Sequence, residues 1–131
     1  MEIHLKIIGI IIVGLSIAHI IFPKYFNWKD EMTKVSLINK EMMYVHTFFI
    51  ALTLLLMGLF CITESYQIIT THLGKQISLG FAIFWFARLS VQFFGYSSIL
   101  WKGKRFETFV HILFSCLWLY FCTIFFVIYF R

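Results

Sequence analysis

The sequence has one proline, three cysteines and seven glycines in 131 residues, and only 13% of it is charged. A single proline leaves room for long uninterrupted helices. Three cysteines without a CxxC pair supply neither a disulfide framework nor a thiol redox motif. Soluble domains carry about a quarter charged residues, so this chain lacks the polar material to coat a globule of its size. That excludes a cytosolic enzyme, a nucleic-acid binder and a disordered tail. There is no internal repeat, no low-complexity tract, no second domain and no local metal motif of the HxxxH kind.

What the chain does have is apolar. Hydrophobic residues make up 61% of it, 17 of them phenylalanine, and the mean hydropathy is +0.89. Four stretches, residues 3–22, 42–63, 76–96 and 108–130, are 20 to 23 residues long. A helix rises about 1.5 Å per residue, so each covers the roughly 30 Å hydrocarbon layer. None shows the alternation of a barrel strand, and in lipid the backbone must satisfy itself. The predicted fold is all-α: one integral membrane domain over residues 1–131, a four-helix bundle. The first span lacks a small-x-small cleavage site before Pro23, so it reads as retained rather than as a signal peptide.

The net charge of +5 reflects basic loops. Lys24, Lys29, Lys34 and Lys40 fall in the first loop and Lys102, Lys104 and Arg105 in the third. Lys6, Lys75 and Arg131 fall on the other side. Positive residues stay inside, which predicts cytoplasmic first and third loops and both termini non-cytoplasmic. The expected location is a bacterial inner (plasma) membrane. Trp28 and Trp101 suit an aromatic belt, and the first loop reads as a short amphipathic helix on the membrane surface. Phe22, Pro23 and Lys24 read as a helix end.

Polar side chains within spans are costly and point to function. His19, His46 and His111 each fall three or four residues from the cytoplasmic end of a span. Arg88 lies eight residues from that end of the third span, about 12 Å down, with Gln92 one turn nearer. Helical phase places Glu107, His111, Ser115, Trp118 and Cys122 on one face of the fourth span. Ser78, Trp85, Arg88, Gln92 and Tyr96 share a face of the third. His46, Ile50, Thr53 and Met57 share one on the second, and Ile12, Ser16 and His19 one on the first. Gly14 and Ala18 offer a close-approach patch. With these stripes turned inward, the bundle encloses a polar pocket.

Three imidazoles at one depth could ligate a haem or a metal ion. That reading makes His19, His46 and His111 metal ligands, with Glu107 as ligand or orienting partner and Arg88 and Gln92 on an anionic group. The bland alternatives are interfacial histidines and a structural Arg88–Glu107 bridge. Cys61, Cys116 and Cys122 read as small apolar residues.

Phe86-Ala87-Arg88-Leu89, followed by Phe94-Gly95-Tyr96-Ser97, resembles the third helix of the MAPEG family of small four-helix membrane enzymes. Asn39 and Glu41 echo that family's Asn and Glu before the second span. The resemblance implies a homo-oligomer, a trimer, with glutathione between subunits and contacted by Arg88 and Tyr96. The chain departs from the pattern in its Asn-to-Glu spacing, in the missing proline of the second span and in an Arg-to-Tyr segment one residue longer. A third class, without chemistry of its own, is an accessory subunit beside a larger partner membrane protein.

Overall fold

The computed structural model describes residues 1–131, and they are helical, with no strand. Four long helices, α1 (Glu2–Tyr25), α3 (Leu37–Thr63), α5 (His72–Phe94) and α6 (Arg105–Phe130), are each apolar and long enough to cross a membrane. Two short helices, α2 (Trp28–Glu31) and α4 (Ser65–Thr70), and a 3₁₀ turn at Ser98–Leu100 complete the chain. The fold divides into two compact units, Ile3–Ser65 and Tyr66–Arg131 together with Met1–Glu2.

In the first unit α1 and α3 run antiparallel. Ile8, Gly9, Ile12 and Ser16 of α1 are buried, as are Ala51, Leu54, Met57, Gly58 and Cys61 of α3. The contact is close because it lacks side chains. A Cβ on Gly58 would meet the Gly9 carbonyl oxygen at 2.8 Å, and one on Gly9 would meet the Gly58 oxygen at 2.7 Å. Further along, the Ser16 hydroxyl donates to the Ala51 carbonyl at 2.6 Å. Such small-residue crossings let helices pack without a hydrophobic drive between them.

Three sequence expectations change here. The close approach uses Gly9 and Gly58, whereas Gly14 is exposed with nothing near its missing Cβ. The buried face of α3 is the small-residue face, so His46, Ile50 and Thr53 are exposed and only Met57 of that polar stripe is buried. Steric fit, not polarity, sets the rotation of α3. Third, α1 continues through Pro23 to Tyr25. There the ring removes the hydrogen bond to the His19 carbonyl and crowds that oxygen, and the helix ends two residues later. The loop after it does form a surface turn of helix, and Trp28 packs edge-on against Tyr44 with centroids 5.5 Å apart.

In the second unit α4 turns directly into α5. Thr71 caps α5 by accepting from the Gly74 N–H at 2.9 Å. Gly74 sits against the backbone of Gln67 and Ile68, where no Cβ would fit. This corner starts α5 four residues earlier than the apolar run at residue 76. At the other end α5 stops at Phe94 rather than 96, with Gly95 as its cap. Arg88 is therefore six residues from the helix end, about 9 Å by helical rise rather than 12 Å.

Candidate functional site on the α5–α6 hairpin

The facing stripes of α5 and α6 meet at a constant antiparallel register, apolar at one end and polar at the other. Ser78 donates to the Phe125 carbonyl at 2.9 Å. One turn on, the Cys122 thiol donates to the Ala82 carbonyl at 3.7 Å. The indoles of Trp85 and Trp118 then stack with centroids 5.0 Å apart and planes 14° apart, and Phe121 meets Trp85 edge-on at 4.9 Å. Both indole N–H groups are buried without a hydrogen-bond acceptor. An orphaned donor of this kind costs stability.

Arg88 follows on the stack. Its guanidinium carbon lies 5.0 Å from the Trp118 ring centre and 5.7 Å from that of Tyr96. It donates to Gln92 Oε1 at 3.3 Å, at the long end for such a bond. Gln92 is 8% exposed, and its Nε2 lies 2.9 Å from His111 Nδ1. The His111 ring stacks on Trp101 at 4.5 Å and 10°, with Phe93 edge-on at 5.7 Å.

Donor logic fixes the polarity of this chain. A guanidinium only donates, so the Gln92 oxygen faces Arg88 and the amide nitrogen donates to His111. His111 Nδ1 is then the acceptor, and the neutral ring carries its proton on Nε2.

Of the residues expected to form a site, Arg88, Gln92, Tyr96 and His111 come together, as do Trp85 and Trp118 from the same stripes. Arg88 is half-buried rather than buried. It forms no bridge to Glu107, which is exposed in the first turn of α6 outside the chain of bonds. The metal expectation finds no donor set, since no three His, Cys, Asp or Glu side chains group as ligands. His19 donates from Nδ1 to the Leu15 carbonyl of its own helix at 2.8 Å, and His46 is exposed on α3. Trp101 was expected only as an interfacial belt residue. It lies in a loop, where helical phase says nothing, and is held by a bond from the Thr108 hydroxyl to its carbonyl at 2.6 Å. No family model, curated protein or solved structure matches the chain.

Proposed function

We propose that the chain is a polytopic membrane protein whose α5–α6 hairpin holds an anionic group at Arg88. The observation that carries this reading is the company Arg88 keeps. A half-buried guanidinium on an apolar helix has one long bond to a neutral amide and two aromatic rings, and no carboxylate. Cation–π contacts contribute about 0.5–2 kcal/mol, whereas charge within a membrane costs several kcal/mol unless compensated. A carboxylate or phosphate would accept the remaining guanidinium donors in a charge-assisted, bidentate geometry. Gln92 and His111 hold Arg88 in place, and Trp101 closes over the imidazole. In this reading the basic loops lie in the cytoplasm and the site opens towards that face.

One observation favours a second, narrower reading, a MAPEG-like enzyme that uses glutathione. The guanidinium stands over the Tyr96 ring, and these are the two residues that the resemblance assigns to that tripeptide, itself an anion.

Thermal unfolding in detergent separates the readings, because a ligand stabilises the state it binds. Short-chain alkyl phosphate, dodecanoate and glutathione should be titrated against the purified chain and Arg88→Met. A rise in midpoint with an anion, absent in Arg88→Met, is expected. A rise with glutathione alone favours the second reading. No rise with any anion would overturn both.

A further inference from the structure

The start of α6 carries a groove that the Arg88 site does not use. It is shallow and open, and Gly103, Lys104, Arg105, Thr108, Phe109 and Ile112 line it. Its head is held in shape by the preceding turn. Gly103 takes a φ of 75°, which L side chains rarely adopt. The Trp101 carbonyl accepts both the Lys104 N–H at 3.2 Å and the Thr108 hydroxyl at 2.6 Å. These bonds fix the backbone at Lys104, and Arg105 opens the first turn of α6.

Arg105, Phe109 and Ile112 are spaced four and three residues apart, so they follow one face of the helix. That face runs about 10 Å from the basic pair. The head carries two cations and the lining contains no acid. Below it, Phe109 and Ile112 stand 62% and 55% exposed. A free anion would use the head and leave both apolar side chains bare. An amphiphile with a negative head and a hydrocarbon tail matches both halves.

We propose that this groove seats one anionic glycerophospholipid, its phosphate at Lys104 and Arg105 and an acyl chain along Phe109 and Ile112. The inference rests on the membrane placement proposed above but not on the Arg88 site. Juxtamembrane basic residues each strengthen binding to anionic lipid by about fivefold, and the tail adds contact that a soluble phosphate lacks.

The test is retention of lipid by the full chain, purified in detergent, equilibrated with equal phosphatidylglycerol and phosphatidylcholine and read by native mass spectrometry. The parent should retain phosphatidylglycerol in preference. Lys104→Gln with Arg105→Gln should lower that preference about tenfold or more. Phe109→Ser with Ile112→Ser should reduce retention of both lipids. Lys29→Gln with Lys34→Gln removes the same charge elsewhere and should leave the preference intact. Millimolar inorganic phosphate should not displace the lipid. Helical circular dichroism establishes that each variant is folded. Equal retention of the two lipids by the parent, an equal loss in the control pair, or displacement by phosphate would overturn the seat. A chain that stays soluble without detergent would overturn the membrane placement with it.

Discussion

The Gln92 amide nitrogen lies 2.9 Å from His111 Nδ1 while its oxygen accepts from Arg88 at 3.3 Å, so one buried amide ties a charge on α5 to an imidazole on α6. Gln92→Leu removes both bonds at once and leaves two polar partners unmade. The expected loss is about 1–3 kcal/mol, measured by thermal unfolding in detergent. Gln92→Glu keeps an acceptor for Arg88 and should lose less. Equal stability of Gln92→Leu and the parent would mean that the amide holds nothing together.

The α1–α3 contact gives a matched pair of glycine predictions. Gly58→Ala places a methyl 2.8 Å from the Gly9 carbonyl oxygen and 3.0 Å from the Val13 nitrogen, both backbone atoms that cannot swing aside. The hairpin must open, at about 1–3 kcal/mol. Gly14→Ala meets nothing within 4 Å and should be neutral or stabilising by up to about 1 kcal/mol. The same unfolding assay reads both, and the order of the two midpoints is the check.

Orientation is tested by reporters. An enzyme fused after Arg131 should be active on the non-cytoplasmic side, and a tag beside Gly103 should be labelled from the cytoplasm. Seven basic residues in the first and third loops against three on the other side motivate this. A cytoplasmic C-terminus would remove the basis for placing the site towards the cytoplasm.

The helices were legible because length and hydropathy act locally, and the four long ones appear where the apolar runs are. The facing stripes of α5 and α6 were also legible. Ser78, Trp85, Gln92, Trp118 and Cys122 are all buried, since polar and aromatic residues at helical spacing mark the inner face of that hairpin. The rotation of α3 was not, because its inner face is chosen by the absence of side chains at Gly58 and Ala51. Polarity at His46 and Thr53 pointed to the opposite choice. The helix ends moved most at Leu37, five residues before the expected start of the second span, and also at Thr71 and Gly95, where capping decides them. Trp101 was missed as a neighbour of His111 because a loop residue has no periodicity from which its packing could be read.

Whether Arg88 serves an anionic group or a structural ion pair is decided by a double-mutant cycle in ligand-free detergent. Arg88→Met, Glu107→Gln and their combination are compared by thermal unfolding. With no bridge between Arg88 and Glu107, the two changes should be additive. Arg88→Met should be as stable as the parent or more so, because residues kept for binding are commonly held at a cost in stability. Loss of roughly 3–5 kcal/mol in Arg88→Met, restored by adding Glu107→Gln, is the signature of a broken buried pair and would contradict the account.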